Sequence, residues 1–215
     1  MAPGTRATLL RVTRVVTAIL VVVALGWQFR WSTDNSPAFT AGNFFSYFTV
    51  QSNILLVVTF VALAARPALA DDVAFLTLRG IATIGITVTG LVYAVLLAPT
   101  SADVDLTLRW VDFTVHTLAP IVGVADWLID RPRARPRLPT VLTWLAFPVL
   151  WLAYTLIRGA VTDWYPYPFL DPDLESTASI VVTCLGITAV FVVIALGLVW
   201  WSGRRRDVTA GVEAR

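Results

Sequence analysis

One histidine occurs in the chain, His116, and it stands in the apolar run Arg109-Trp-Val-Asp-Phe-Thr-Val-His-Thr-Leu-Ala-Pro120. Asp112 precedes it by one helical turn and Arg109 by one turn more, so the three share a face if the run is helical. An ionisable side chain inside a membrane span costs ~2.5–3.5 kcal/mol on insertion scales, which directs it to an interior cavity where it does chemistry or transport. Histidine is also the side chain most easily poised to exchange a proton near neutral pH. Asp112 at i−4 is positioned either to orient the imidazole and stabilise its imidazolium, as the acid of an acyl-transfer triad does, or to neutralise Arg109 or Arg158. A second polar stripe lies in Asn43-Phe-Phe-Ser-Tyr-Phe-Thr-Val-Gln-Ser-Asn53, where Ser46, Thr49 and Asn53 recur at i, i+3 and i+7. Two such stripes on neighbouring helices define a hydrophilic pocket, although hydroxyls and amides also serve as plain interhelical glue at ~0.6 kcal/mol per contact. A third region, Tyr154-Thr-Leu-Ile-Arg-Gly159, runs into Asp163-Trp-Tyr-Pro-Tyr-Pro-Phe-Leu-Asp-Pro172. Three prolines among aromatics make that a stiff interfacial loop. Arg158 at its edge either receives a lipid carboxylate, or snorkels to headgroups or pairs with Asp163.

The elements that must position these residues are membrane helices. The chain is 57% apolar and only 14% charged, outside the range of soluble domains. Six apolar segments, near 9–29, 43–64, 80–98, 107–129, 138–160 and 177–201, are each long enough to cross hydrocarbon, which takes about 20 helical residues. Since hydrocarbon admits only helices or closed barrels, the fold expected is an all-α, polytopic bundle of six helices forming one domain over 1–215, with 202–215 a tail. Arg6, Arg11, Arg14, Arg66, Arg79, the polybasic turn Arg131 to Arg137 and Arg204 to Arg206 map to one side of these spans. The opposite segments carry Asp34, Asp103, Asp105, Asp163, Asp171, Asp173 and Glu175 against a single arginine, Arg30. The positive-inside bias then predicts a plasma-membrane protein with both termini cytoplasmic. Arg6, Arg11 and Arg14 ahead of Val15–Leu25 also resemble a signal peptide, but the apolar stretch continues to Phe29 between Trp27 and Trp31, which favours an uncleaved span. The tryptophans at 110, 127, 144, 151, 164, 200 and 201 mostly fall near span ends, as an aromatic belt would.

Composition excludes several chemistries. Every cation is arginine, so no lysine Schiff base can form. With one histidine and one cysteine, Cys184, neither a disulfide framework nor a multi-histidine metal site is expected. No cofactor is expected, and no nucleic-acid partner.

At Tyr47-Phe-Thr49 and His116-Thr-Leu-Ala-Pro120 the chain resembles the androgen-induced and androgen-dependent TFPI-regulating membrane proteins and their bacterial six-span relatives. The loop Trp164 to Pro172, behind Tyr154 and Arg158-Gly159, looks like the bacterial branch, and the likeness covers roughly residues 10–200. The resemblance implies an intramembrane threonine hydrolase of fatty acid esters of hydroxy fatty acids, with Thr49 as nucleophile and His116 as general base. A threonine hydroxyl needs such a base, since it is a weak nucleophile at its free pKa. On that reading Ser46 and Asn53 are candidates to stabilise the oxyanion, Asp112 supports His116, and Arg109 or Arg158 holds the lipid carboxylate. The span limits set Thr49 roughly 8–10 Å and His116 nearer 14 Å below the outer boundary, so a direct contact requires tilt or shifted boundaries. Two other readings stay open: a small-molecule or proton-coupled carrier with His116, Asp112 and Arg109 as relay, and a non-catalytic lipid-binding protein.

Overall fold

The computed structural model describes residues 3–98, 108–132 and 136–204. It is helical throughout, with no strand among the described residues. In chain order the elements are α1 (Pro3–Asn35), α2 (Ala41–Ser46), α3 (Phe48–Ala65), a 3-10 turn (Pro67–Asp71), and α4 (Val73–Val92), which continues through a π-turn (Tyr93–Leu97). Then follow α5 (Arg109–Phe113), a π-turn (Thr114–Leu118), α6 (Ala119–Ile129), α7 (Leu138–Thr162), a 3-10 turn (Pro168–Leu170) and α8 (Thr177–Gly203). Five helical stretches are long and apolar enough to cross a membrane: Gly4–Asn35, Phe48–Ala65, Val73–Leu97, Leu138–Thr162 and Thr177–Gly203. Their outward faces are apolar, with Leu150, Ile157, Val182 and Val193 all exposed, as suits helices surrounded by lipid.

Local chemistry sets several of the boundaries. Asp72 caps α4 by accepting from the Phe75 N–H at 2.7 Å, and Ser176 caps α8 through the Ser179 N–H at 3.2 Å. α7 ends where Asp163 adopts a left-handed conformation (φ 50°). The expected second span, 43–64, is not one helix: Tyr47 is extended (φ −64°, ψ 130°) and separates α2 from α3. Residues 46 and 49 therefore do not share a helical face. α1 runs beyond the expected 9–29, and α4 begins at Val73 rather than near 80.

α4 is the central strut, packing against α3, α6, α7 and α8, while α1 lies against α3 and the α5–α6 stretch. One apolar cluster fills the α3–α4–α7–α8 side around Phe48, Val88, Trp144 and Phe191. A second joins α1, α3, α4 and α6 through Val21, Leu56, Phe60 and Ile86. Trp127 and Trp144, assigned to an interfacial belt from their positions, are fully buried and meet edge to face at 5.7 Å. Their rings fill the space between α6 and α7, a packing role that position along the chain does not disclose.

The arginine-rich end is not simply basic. Arg14 and Arg79, both buried, converge on Asp126, whose carboxylate accepts from Arg14 Nε at 2.7 Å and from Arg79 at 2.9 Å. Asp130 takes a second bond from Arg14 at 2.5 Å. Two of the arginines counted as topology signals are thus neutralised inside the bundle, tying α1, α4 and α6 together.

Candidate active site

At the other end of the bundle the break at Tyr47 starts α3 afresh at Phe48, so Thr49 sits in its first turn, where backbone N–H groups lack helical partners. Tyr47 holds its extended conformation with its ring edge-on to Trp164 and Tyr167, at 5.6 and 5.7 Å. Those two rings come from the proline-rich loop after α7. One of the vacant groups, the Thr49 N–H, donates to the Tyr167 hydroxyl at 3.2 Å. Thr49 Oγ1 lies 3.3 Å from that same hydroxyl and 3.3 Å from His116 Nε2. These are loose contacts, as catalytic hydrogen bonds without substrate commonly are.

His116 occupies the π-turn between α5 and α6. Pro120 has no N–H for the His116 carbonyl, and its ring crowds that position in a regular α-helix. The chain answers with an i to i+5 turn, in which the Ala119 N–H bonds Thr114 O. Such π-turns cluster at functional sites because they redirect side chains. Gly90 makes the approach of α4 feasible: a Cβ there would lie 2.9 Å from the Pro120 ring and 3.2 Å from the His116 carbonyl oxygen. Close behind it Tyr93, in the π-turn that follows α4, stacks on the imidazole with ring centroids 4.1 Å apart and planes at 9°.

His116 Nδ1 bonds Asp112 Oδ1 at 2.9 Å, one turn away on the same helix, and Asp112 Oδ2 accepts from the Tyr93 hydroxyl. An ionised carboxylate only accepts, so Nδ1 carries the ring proton and Nε2 presents its lone pair. The protons then have one consistent order. Tyr93 O–H and His116 Nδ1–H point to Asp112, Thr49 O–H to His116 Nε2, and Tyr167 O–H to Thr49 Oγ1. Burial pushes the Tyr167 phenol up to about 12, so it remains a neutral donor at physiological pH. The direct contact for which the expected span limits required tilt or shifted boundaries is made at 3.3 Å, and both boundaries differ from those limits: α3 restarts at Phe48 and α5 begins at Arg109.

The remaining candidates take other partners. Asn53 is fully buried and donates to the carbonyls of Thr49 (2.9 Å) and Val115 (3.2 Å), which locks α3 to the π-turn bearing His116. Its amide N–H groups serve backbone carbonyls rather than the Thr49–His116 gap. Ser46, displaced by the Tyr47 break, bonds Gly42 O at 2.6 Å and the Tyr154 hydroxyl at 2.8 Å. Arg158 donates to Asn43 Oδ1 at 2.6 Å and lies over Trp164, 4.9 Å from the ring centroid. Arg109 is exposed at the start of α5, and Asp112 pairs with neither arginine. Tyr93 and Tyr167 were not singled out from the sequence. Tyr167 at least lay in a loop whose prolines and aromatics marked it for attention.

Two cavities meet at Thr49. A vestibule of about 480 Å³ is lined by Asp112, His116, Tyr93, Asn43 and the Trp164–Pro168 loop. A narrower cavity of about 190 Å³ lies between α4, α7 and α8. No group of three or more His, Cys, Asp or Glu side chains suited to a metal ion occurs among the described residues. What the arrangement brings together is a threonine hydroxyl, an imidazole oriented by a carboxylate, and nearby hydrogen-bond donors. Comparison with protein-family models, curated proteins and solved structures finds no match to the chain, so the chemistry assigned to this site rests on its geometry.

Proposed function

We propose that the chain is a membrane-embedded lipid ester hydrolase that works by acyl transfer to Thr49. The observation that carries this reading is the hydrogen-bond chain Tyr93–Asp112–His116–Thr49, ending on a hydroxyl in the first turn of a helix. His116 Nε2 takes the Thr49 proton as Oγ1 attacks the ester carbonyl carbon. The tetrahedral oxygen faces the Thr49 N–H, the Tyr167 hydroxyl and the positive end of the α3 dipole. Collapse breaks the bond to the alkoxy oxygen, which leaves with the proton held by His116. Water then gives its proton to His116 and its oxygen to the acyl carbon. Release of the carboxylic acid returns the proton to Thr49.

The resemblance at Tyr47-Phe-Thr49 and His116 to Pro120 points the same way and suggests fatty acid esters of hydroxy fatty acids as substrates. We assign the sixth crossing to the continuous helical stretch from Arg109 to Ile129, whose 21 residues rise roughly 30 Å. The arginines of the opposite end favour both termini on the cytoplasmic side of the plasma membrane, with the site toward the outer face.

The test is hydrolysis of such an ester by protein purified into nanodiscs, with Thr49→Ala and His116→Ala alongside. Turnover by the wild type that is lost in both folded variants supports the reading; turnover persisting in either one refutes it.

A further inference from the structure

Thr49, Leu97 and Tyr167 line both cavities, so the nucleophile stands in the partition between them. The two chambers differ in chemistry. The vestibule is wide and holds Asp112, His116 and Asn43. The narrower cavity has no charged residue in its wall, which is built from Phe48, Val88, Leu145, Leu152, Ile187 and neighbours of similar character. Its exposed members, Val149 on α7 and Thr188 on α8, put its mouth on the flank of the bundle, between two helices whose outward faces are apolar. Pro148 in the middle of α7 removes one backbone hydrogen bond beside that mouth.

The position of the base decides which half of an ester each chamber takes. His116 must deliver its proton to the leaving oxygen, and it lines the vestibule but not the apolar cavity. The leaving alcohol therefore lies on the vestibule side of Thr49, and the chain attached to the carbonyl points the other way. We propose that the apolar cavity between α4, α7 and α8 is the acyl-chain site, receiving a single hydrocarbon chain laterally from the bilayer through the gap between Val149 and Thr188. This assignment deepens the hydrolase reading and rests on it for the direction of the ester. The cavity's affinity for an alkyl chain follows from its apolar wall alone.

Two measurements test it. The first compares p-nitrophenyl acetate with p-nitrophenyl palmitate on the wild type and on Ile187→Trp, which crowds the cavity from α8 and leaves Thr49, His116 and Tyr167 unsubstituted. Crowding the cavity is expected to cut palmitate hydrolysis about ten-fold or more while acetate hydrolysis holds. Equal loss on both esters by a folded variant, or no loss on either, overturns the proposal. The second does not depend on turnover. Cys184 is the only thiol of the chain and lines the cavity, so its rate of maleimide labelling in nanodiscs reports occupancy. Added palmitic acid is expected to slow labelling several-fold and acetic acid to leave it unchanged. Unslowed labelling at saturating palmitic acid overturns the proposal. Slowed labelling in a protein that hydrolyses no ester would keep the chain site and sink the hydrolase, whereas hydrolysis blind to chain length with unprotected Cys184 would do the reverse.

Discussion

Under the proposed hydrolase mechanism, reactivity at Thr49 turns on the tautomer of one ring. Asp112 fixes the Nδ1–H form of His116 by accepting at 2.9 Å, which leaves Nε2 free to accept from Thr49. Asp112→Asn keeps the shape but lets an amide N–H face Nδ1, which favours the proton on Nε2 and disables the base. Ester hydrolysis is expected to fall on the order of 10²–10⁴-fold, measured as kcat in the same nanodiscs, with thermal stability near that of the wild type. Tyr167→Phe removes one donor from the tetrahedral oxygen and should lower kcat about 10²–10³-fold with little change in KM. Because burial holds the Tyr167 phenol up at about 12, its proton is in place throughout the neutral and mildly alkaline range. The variant's pH–rate profile should therefore have the same shape as the wild type's at reduced height. A new alkaline limb in the wild type that the variant lacks would argue that Tyr167 ionises during turnover.

At the scale of elements, the site depends on where helices break and how one loop folds back. The loop after α7 returns Tyr167 to Thr49 because Tyr165 lies flat against Gly159; a Cβ at that position would sit 2.1 Å from the ring. Gly159→Ala must push the loop away, so hydrolysis should drop well before the melting temperature does, and a variant with full activity would show that the loop is not held there. The sequence marked the membrane helices through sustained apolar runs, and it marked Thr49 and His116 as polar groups in such runs. Pro120 is the local cue to the π-turn around His116, a cue that the expectation of one regular span over 107–129 did not use. The break at Tyr47 had no such marker. No glycine or proline sits there, and Tyr47 is held extended by rings from a loop more than a hundred residues later. Contacts of that range leave no local period. For the same reason Ser46, Thr49 and Asn53 read as one stripe although Ser46 belongs to a different helix. Tyr93 was invisible for another reason: a tyrosine at the end of an apolar span reads as an interfacial anchor until the stacked His116 is known.

Over the whole molecule, charge is divided between two ends with separate tasks. Arg79 and Tyr93 lie fourteen residues apart along α4 and its π-turn, about 21 Å, so the ionic cluster and the Thr49–His116 site are well separated. In the cluster Asp126 serves Arg14 and Arg79 at once, and Arg79 also donates to Asp130 O at 2.6 Å while its guanidinium lies 5.3 Å from the Trp127 ring centroid. Arg79 Nε and Nη1 are buried without hydrogen-bond partners, so its bonds all run through Nη2 to Asp126 and the Asp126 and Asp130 carbonyls, with the Asp130 carboxylate adding a longer-range attraction. Asp126→Asn would strip both arginines of their shared counter-charge within a low-dielectric bundle. Breaking a buried pair in this way costs about 3–5 kcal/mol, because the remaining charge is left uncompensated. In that single variant Asp130 stays engaged elsewhere: it is part-exposed, and its carboxylate already pairs with Arg14. The expected outcome is a strongly lowered melting temperature, with kcat per folded molecule near the wild-type value because the reactive chain at the other end is untouched. Loss of kcat in protein that remains folded would mean instead that α4 transmits strain from one end to the other. Arg14→Met combined with Asp126→Asn should be less damaging to Arg79 than Asp126→Asn alone only if Asp130, freed from Arg14, can swing toward Arg79, and the double variant's melting temperature reads that directly.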